Sequence, residues 1–576
     1  MVTRISTPST KLLNTMTTPA MAGYEMVADA LATAGIECIF GVMGDDTGPL
    51  VLAATERGIR YVFARHENQA VAMADGYSRV TGRTGVATVT GGPGFSNAIT
   101  GINSAQRGGS RVCVLIGTGN AAEDDHERSR IRATPPASWL KYFPQGAVLD
   151  LLGICTVKPT SAASARHDAR LALEHARRRT VVLMLPRDVL EETVDSESDA
   201  ASAAAPAVTA VTPPDPQQIS AVADLLQETW AVKRPLILAG RGAMASGAAA
   251  ALRRLGELSG ALLATTLHAN GLFHGDPYNV GICGTYATPV ASELIPQADC
   301  VLVFGAGLNT LTTYKNTLFP KAMIIQVDTD PAVFGRFVDV EMGVQADTVQ
   351  AAEMLVAELE RRGHAAEGFR AVAVRDAIAA YRASDGIKDN STTGLIDPRT
   401  LMIELDRVLP SERILCVDGG QQARFAIRYI HVEQSRNFAQ ASDAGAIGLG
   451  MGTAIGAALG RPGALVVAAI GDASMMMSLG DLETAVRLRL PILVVVSNDE
   501  ALGSEVNFLM EHGLDPEVAK TPSPSFAAIA LAMGAQAATI RSADDLTVVE
   551  RWLRDCSKLP LVLDCRVNPE VRAHFP

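Results

Sequence analysis

Two aspartates in the C-terminal third of the sequence each follow an apolar run of the kind that forms a buried strand. LVVAAIG (465–471) immediately precedes Asp472, and PILVVVSN (491–498) immediately precedes Asp499. The carboxyl ends of neighbouring parallel strands meet at one edge of a sheet, so both carboxylates can reach one cation there. Mg²⁺ takes about six oxygen ligands and commonly combines one or two carboxylates with phosphate oxygens. The pattern therefore predicts a magnesium site.

The residues around Asp472 are suited to hold a phosphate group beside that cation. Gly471 lacks a side chain and lets the backbone approach a ligand. Ala473 and Ser474 begin a turn whose amides can point at phosphate oxygens. A Gly-Asp pair alone is a weak motif, and two acidic caps on strand ends are the alternative interpretation. The second strand with its acidic end at Asp499 favours the ligand interpretation.

The stretch 471–503, GDASMMMSLGDLETAVRLRLPILVVVSNDEALG, resembles the thiamine-diphosphate motif of the acetolactate synthase and pyruvate decarboxylase superfamily. The resemblance implies that the side chains of Asp472 and Asp499 and the backbone carbonyl of Ala501 ligate Mg²⁺. Asp499 departs from the family pattern, which usually has asparagine at this position. An aspartate there is a competent ligand, but it adds negative charge beside the diphosphate.

A second segment near the N-terminus carries the same resemblance, RHENQAVAMADGYSRVTGRTGVATVTGGPGFSNAITGI (65–102). On residue type alone, Glu67 is a first-turn glutamate that stabilises its helix through the helix dipole. The resemblance implies instead that Glu67 is the family's activating glutamate. In that role it hydrogen-bonds the aminopyrimidine ring of the cofactor and promotes removal of the thiazolium C2 proton.

The segments that carry the resemblance contain further candidate residues. The loop Gly92-Pro93-Gly94 is expected to pack its backbone against the pyrimidine ring. Ser96 or Asn97 is expected to cap the helix that follows, and Asn97 is also a candidate cofactor contact. Ile447, in DAGAIGLGMGTAIGA, lies where the family has a bulky residue wedged between the two cofactor rings. The family also builds each site from two subunits, which implies a homodimer or homotetramer.

The substrate is less clearly indicated than the cofactor. FGVMGDD (40–46) is expected to line the pocket above the reacting carbonyl, and Asp45 lies where pyruvate decarboxylases have a proton-relay aspartate. The paired histidines of those decarboxylases are missing, since GTGNAAEDDHERSR contains only His126. Phe143 and Gln145 are displaced matches to the synthase residues that face the substrate.

These observations favour acetolactate-synthase-like chemistry on a small 2-oxo acid or hydroxyketone. A 2-oxo acid is decarboxylated and the resulting aldehyde unit is ligated to an acceptor carbonyl. One alternative is a decarboxylase or carbon–carbon lyase that does not transfer the unit. A second is a cofactor-binding but inactive subunit. A nicotinamide dehydrogenase is not indicated, because the GxGxxxG pattern at 450–456 has no apolar strand before it.

Apolar runs alternate with helical patterns along the chain, which predicts an α/β protein. Continuous apolar runs are typical of strands covered on both faces, so the sheets should be parallel with helices on each side. The runs lie at 85–90, 111–117, 301–307, 323–328, 413–420, 465–472 and 491–499, and helical patterns lie at 68–82 and 479–490.

Two polar segments, 191–216 and 384–395, are predicted linkers because they are rich in the residues that interrupt regular structure. They separate three predicted doubly wound domains. With the resemblance, the units are a flexible N-terminal extension (1–22), a pyrimidine-binding domain (23–190), a central Rossmann-like domain (217–383) and a C-terminal diphosphate- and magnesium-binding domain (396–576).

The central domain could hold a nucleotide, since PLILAG and RGAMASG (235–247) form a strand followed by a glycine-rich turn. The segment GAGLNTLTTYK (305–315) lacks the arginine that FAD-binding acetolactate synthases tend to have nearby, so FAD is disfavoured.

Composition excludes several classes of partner. The net charge is −12 and no long basic run occurs, which argues against nucleic acid and anionic membranes. No apolar run reaches the ~18 residues that span a bilayer. The eight cysteines are scattered without a CxxC pair, which is typical of a protein in the reducing cytoplasm.

Overall fold

The computed structural model describes residues 20–120, 141–198, 213–230 and 234–573. The predicted extension at 1–22 falls almost entirely outside these residues, as do His126 and much of the predicted linker at 191–216. Three six-stranded parallel sheets with flanking helices make up the described chain, so the prediction of an α/β protein with three doubly wound domains is confirmed.

The N-terminal sheet has the strand order β3-β2-β4-β5-β7-β6. Its strands are β2 (Cys38–Val42), β3 (Arg60–Phe63), β4 (Gly85–Val89), β5 (Val112–Thr118), β6 (Cys155–Val157) and β7 (Val181–Pro186). Its helices are α1 (Gly23–Thr33), α2 (Gly48–Glu56), α3 (Glu67–Thr81), α4 (Pro93–Arg107), α5 (Gln145–Leu151), α6 (Ala162–Ala176) and α7 (Arg187–Glu191). A separate antiparallel pair, β1 (Ala20–Ala22) with β8 (Thr193–Asp195), lies just outside the predicted bounds of this domain.

The central sheet has the order β11-β10-β9-β12-β13-β14. Numbered within the domain this is 3-2-1-4-5-6, the Rossmann order. Its strands are β9 (Pro235–Ala239), β10 (Leu262–Thr265), β11 (Asn279–Ile282), β12 (Cys300–Phe304), β13 (Met323–Asp328) and β14 (Met342–Gln345). Its helices are α8 (Pro216–Trp230), α9 (Arg241–Ser246), α10 (Ala249–Ser259), α11 (Pro289–Leu294), α12 (Thr348–Arg361) and α13 (Val372–Ala380).

The C-terminal sheet has the order β16-β15-β17-β18-β20-β19. Its strands are β15 (Arg413–Val417), β16 (Phe438–Gln440), β17 (Leu465–Gly471), β18 (Ile492–Asn498), β19 (Gln536–Ile540) and β20 (Leu561–Arg566). Its helices are α14 (Pro398–Val408), α15 (Gly420–Tyr429), α16 (Gly450–Gly460), α17 (Asp472–Ser478), α18 (Gly480–Arg487), α19 (Gly503–Glu511), α20 (Phe526–Ala532) and α21 (Thr547–Arg554). Short 3₁₀ turns lie at Leu267–Ala269, Ile295–Gln297, Pro331–Val333, Ser435–Asn437, Pro516–Ala519 and Ala543–Leu546.

The N-terminal and C-terminal sheets share one topology. Numbered within each domain, both have the order 2-1-3-4-6-5. The direction of chain progression changes between the first and third strands of such a sheet, and ligands bind outside the carboxyl ends of the strands at that point. In the C-terminal domain this point lies between β15 and β17.

The two outer domains pack through α3 and α16, which approach closely because glycines face the contact. A Cβ atom at Gly76 would collide with the carbonyl oxygen of Thr453, and one at Gly456 would collide with that of Met73. Gly456 of the GxGxxxG pattern therefore serves helix packing. Among the described residues, no helix combines the length and apolar character of a membrane span.

Candidate active site

Asp472 and Asp499 lie side by side at the carboxyl edge of the C-terminal sheet. β17 and β18 are hydrogen-bonded neighbours in which Gly471 pairs with Ser497, so each aspartate follows directly after an aligned strand end. Both are buried, with 3% and 8% of their surface exposed. Burial and the negative charge of Asp472 raise the pKa of Asp499 to about 7. Burial also raises the pKa of Asp472.

Two polar side chains that the sequence did not single out hold these carboxylates. Ser523 Oγ donates to Asp472 Oδ2 at 2.6 Å. Gln422 Nε2 donates to Asp499 Oδ2 at 2.6 Å, and its buried Oε1 has no hydrogen-bond partner among the described residues. Gln422 follows β15 rather than β17 or β18, so only the fold brings it to this point.

The turn after β18 explains why Asp499, and not Asn498, faces Asp472. Asn498 Nδ2 donates to Asp564 Oδ1 at 3.1 Å, which directs this side chain into the core. The backbone amide of Ala501 hydrogen-bonds the Asp499 carboxylate. The turn then closes tightly, since a Cβ atom at Gly503 would lie 2.6 Å from Asp499 Oδ2.

These residues fit a magnesium diphosphate. Two adjacent buried carboxylates repel each other until a cation neutralises them, and oxygen ligands are those that Mg²⁺ prefers. Space for a ligand is open beside them, because no atom lies within 4 Å of a Cβ built at Gly471. The amide of Ala473 hydrogen-bonds the Asp472 carboxylate, and Ser474 is buried in the first turn of α17.

Asp418 is a further residue that sequence reasoning missed. It follows β15 at the topological switch point and is buried, which raises its pKa. Its carboxylate accepts from the backbone amides of Gly419 at 2.7 Å, Gly448 at 3.0 Å and Gly450 at 2.8 Å. These bonds hold the loop that carries Ile447, whose Cγ2 lies 2.9 Å from a Cβ built at Gly419.

Glu67 is the first residue of α3, and the structure places Asn97 against it. Asn97 Nδ2 donates to Glu67 Oε2 at 3.0 Å. The expectation that Ser96 or Asn97 caps the next helix was wrong, because α4 already begins at Pro93 with Gly92 as its N-cap. Proline is favoured at the first helical position, which explains the earlier start.

The helix that begins with Glu67 also reaches the loop of Ile447. Gln69 Nε2 donates to the carbonyl oxygen of Gly448 at 2.5 Å, and Gln69 Oε1 accepts from the amide of Gly452 at 2.8 Å. The predicted glutamate helix and the predicted wedge loop are therefore in direct contact within one chain.

The glycine loop between β4 and α4 lies beside Glu67. Gly92 has a φ of 65°, and a Cβ atom there would collide with the carbonyl oxygen of Lys141. Its amide donates to Gln145 Oε1 at 2.6 Å. A Cβ built at Gly94 would lie 3.4 Å from Glu67 Oε1. Gln145 thus supports this loop, while the Phe143 ring packs 5.9 Å from the ring of Phe95.

The two aspartates after β2 have different environments. Asp45 is largely exposed and forms ion pairs with Lys141 and, at 3.6 Å, with Arg187. The Lys141 contact lowers the pKa of Asp45. Asp46 is buried and accepts from Thr90 Oγ1 at 2.7 Å and from the amide of Gly91 at 2.9 Å. Asp46 therefore fixes the glycine loop, and Lys141 forms ion pairs with both aspartates.

Family models match all three domains of the chain. The descriptions are thiamine pyrophosphate enzyme, N-terminal TPP binding domain (21–138), central domain (219–355) and C-terminal TPP binding domain (418–565). The chain belongs to the thiamine-pyrophosphate-dependent enzymes of the acetolactate synthase and pyruvate decarboxylase superfamily. It is therefore an acetolactate-synthase-like enzyme of the transferase or lyase type.

Curated relatives extend over nearly the whole enzyme. It is 27% identical to the acetolactate synthase large subunit of Buchnera aphidicola, over 84% of this chain and 83% of the relative. It is 27% identical to a probable acetolactate synthase large subunit of Methanocaldococcus jannaschii, over 95% and 92%. It is also 27% identical to a probable 2-ketoarginine decarboxylase, AruI, of Pseudomonas aeruginosa, over 95% and 93%.

Proposed function

We propose that this enzyme uses thiamine diphosphate and Mg²⁺ to decarboxylate a 2-oxo acid and to transfer the resulting aldehyde unit to an acceptor carbonyl. The observation that carries the proposal is the pair of buried carboxylates, Asp472 and Asp499, at the ligand-binding edge of the C-terminal sheet. Without a cation, burial and mutual repulsion raise the free energy of ionising both carboxylates. A site with this arrangement is therefore suited to a divalent metal.

The metal and diphosphate would be held by the residues that follow β17 and by the turn after β18. Asp472, Asp499 and the carbonyl oxygen of Ala501 would ligate Mg²⁺. The backbone of Gly471, with the amides of Ala473 and Ser474 beside it, would approach the diphosphate oxygens. When bound, thiamine diphosphate supplies an electron sink at the reacting carbon.

The remaining proposed roles belong to residues of the N-terminal domain and the wedge loop. Glu67 would exchange a proton with the pyrimidine nitrogen N1′, and Asn97 would orient the Glu67 carboxylate through the bond they share. The backbone of the loop at 92–94 would face the flat ring. Ile447 would separate the two rings of the cofactor, since Asp418 fixes its loop.

Asp45 would move protons at the substrate itself. Its exposed position beside the glycine loop is compatible with this role, and its ion pairs with Lys141 and Arg187 keep it charged. Both cations are shared, because Lys141 also lies 3.3 Å from the Asp46 carboxylate and Arg187 lies 2.8 Å from that of Glu191.

Simple decarboxylation without transfer is the second candidate. It is supported by the relative named as a probable 2-ketoarginine decarboxylase, which matches as much of the chain as the synthases do. The products separate the two candidates, because transfer gives a hydroxyketone or hydroxy-oxo acid whereas decarboxylation alone gives a free aldehyde.

A product assay tests the proposal. The protein is incubated with pyruvate or a panel of other 2-oxo acids, thiamine diphosphate and Mg²⁺, and the CO₂ and the carbon product are identified. Acetolactate or another ligated product should vanish without cofactor and in Glu67→Gln, and persist in the control Glu56→Gln, whose side chain is exposed in α2. Free aldehyde alone would favour the second candidate. Full turnover by Glu67→Gln would refute the role of Glu67.

We further propose that the enzyme is a cytoplasmic homodimer or homotetramer. No residue of α19 is buried, and Phe508 and Val518 are 56% and 82% exposed. A second copy of the chain would cover this apolar surface. The molar mass from light scattering should be two or four times 60.5 kDa, and a mass of one chain would contradict the proposal.

FAD is not part of the proposed cofactor set. The cavity at the carboxyl edge of the central sheet has a volume of about 300 Å³. Ligand pockets range over roughly 300–1,000 Å³, so this cavity is small for a dinucleotide. An absorption spectrum of the purified protein that shows close to one bound flavin per chain would contradict this expectation.

A further inference from the structure

A small cavity lies where the three domains meet, and its walls are rich in arginine. Its volume is about 70 Å³. The guanidinium-bearing residues that line it are Arg79 and Arg111 of the N-terminal domain, Arg241 of the central domain and Arg436 of the C-terminal domain. No aspartate or glutamate is among its described lining residues. This composition is unusual in a chain whose net charge is −12.

Glycines of the N-terminal domain let three of these arginines converge. A Cβ atom at Gly82 would collide with the guanidinium of Arg436, and one at Gly109 would collide with that of Arg241. A Cβ atom at Gly108 would likewise collide with the guanidinium of Arg79. Because these three glycines have no side chains, guanidinium groups from three domains can lie close together.

The acidic residues near this cavity form ion pairs with Arg79 and His268. Arg79 forms ion pairs with Asp75 at 2.8 Å and with Asp443 at 2.5 Å. Asp443 also pairs with His268 Nε2 at 2.9 Å. Asp443 is 6% exposed and its pKa is lowered by His268 and Arg79 against the effect of burial. The charge of Asp443 opposes the effect of burial on Arg241, but the pKa of Arg241 remains lowered and the two side chains form no ion pair.

Arg111, Arg241 and Arg436 form no ion pair with a carboxylate among the described residues. Arg111 Nη1 donates to the carbonyl oxygen of Gly82 at 2.6 Å. Arg241 Nη1 donates to that of Arg107 at 3.3 Å. The side chain of Arg436 makes no hydrogen bond or ion pair with the part of the chain described. Burial and the neighbouring charge of Arg436 lower the pKa of Arg111, which is the effect expected of uncompensated positive charge.

We propose that this three-domain cavity binds a phosphate group, as free phosphate or as the end of a phosphate monoester. Guanidinium groups recognise phosphate through paired, charge-assisted hydrogen bonds, and three of them converge here with donors available. A cavity of about 70 Å³ is about twice the ~30 Å³ that a water molecule occupies, which suits one tetrahedral oxyanion. The bound group would join all three domains and is separate from the proposed diphosphate site.

Calorimetric titration with inorganic phosphate tests this proposal. The protein is first saturated with thiamine diphosphate and Mg²⁺, so that phosphate does not compete at the diphosphate site, and chloride keeps the ionic strength constant. We expect saturable binding that Arg241→Ala and Arg436→Ala each weaken at least ~10-fold, as loss of a charge-assisted pair predicts. Arg436→Lys keeps the positive charge but loses the paired donors of the guanidinium group, so it should weaken phosphate binding less than Arg436→Ala does.

The matched control is Arg375→Ala, an exposed arginine of α13 whose ion-pair partner is the adjacent Asp376. It should leave the affinity unchanged. Displacement of phosphate by glycerol 3-phosphate at lower concentration would identify a monoester as the preferred ligand, and weaker displacement would identify the free ion. Absence of saturable binding would overturn the proposal. So would an affinity unchanged from wild type in both alanine variants, or equal weakening by Arg375→Ala.

Discussion

Replacing Asp499 with asparagine should stabilise the metal-free protein at alkaline pH, because the change removes one of two adjacent buried charges. Burial and Asp472 raise the pKa of Asp499 from 3.8 to about 7. At about 1.4 kcal/mol per pKa unit, ionising Asp499 in the folded protein costs at most about 4 kcal/mol. The folded state holds this proton more tightly than the unfolded state. Wild-type stability from this group should therefore fall as pH rises from about 4 to about 7, and then level off.

Urea unfolding in the presence of a chelator measures this difference. Asp499→Asn should exceed the wild type in unfolding free energy by about 2–4 kcal/mol at pH 8 and by less at pH 5, because nearly all of the folded wild-type Asp499 keeps its proton there. Asp544→Asn, an exposed aspartate, is the control and should show no such gain. Saturating Mg²⁺ and thiamine diphosphate should remove the advantage. An equal gain at both pH values, or a less stable variant without metal, would refute the reasoning.

Three further predictions concern the rest of the site. Glu67→Gln should lower kcat by roughly 10²–10⁴-fold with an unchanged far-ultraviolet circular dichroism spectrum, since it removes only the proposed proton exchange; an activity within a factor of two of wild type would contradict this. Asp418→Ala should destabilise the protein by about 3 kcal/mol in urea unfolding, because buried amides lose a charged acceptor; a change below about 0.5 kcal/mol would show that water replaces it. Gly76→Ala should lower the thermal midpoint more than Gly48→Ala, whose Cβ position is open, because only the former forces α3 away from α16; similar midpoints would rule out that contact.

Much of the fold could be predicted because buried parallel strands have a distinctive sequence. The run at 323–328 coincides with β13, and the helical patterns at 68–82 and 479–490 match α3 and α18 to within a few residues. The shared strand order of the outer sheets was not detectable, since two domains can keep one topology with unrelated side chains. Only the hydrogen-bonding of the strands reveals it.

The candidate site was predictable where residues lie next to a strand end. Asp472 and Asp499 were found in this way, because the sheet aligns their strands. Gln422, Ser523 and Asp418 were missed because they reach the site from other strands and loops. Their residue types have many ordinary uses, and no spacing in the sequence links them to the carboxylates they contact or the loops they hold.

Binding of thiamine diphosphate tests the central claim most directly. Calorimetry with Mg²⁺ present should give one saturable site per chain in the wild type and in the exposed control Asp544→Asn. Chelating the metal, or substituting Asp472→Ala in a variant with an unchanged circular dichroism spectrum, should abolish binding. Affinity that survives both changes would contradict the assignment of Asp472 and Asp499 as the metal site.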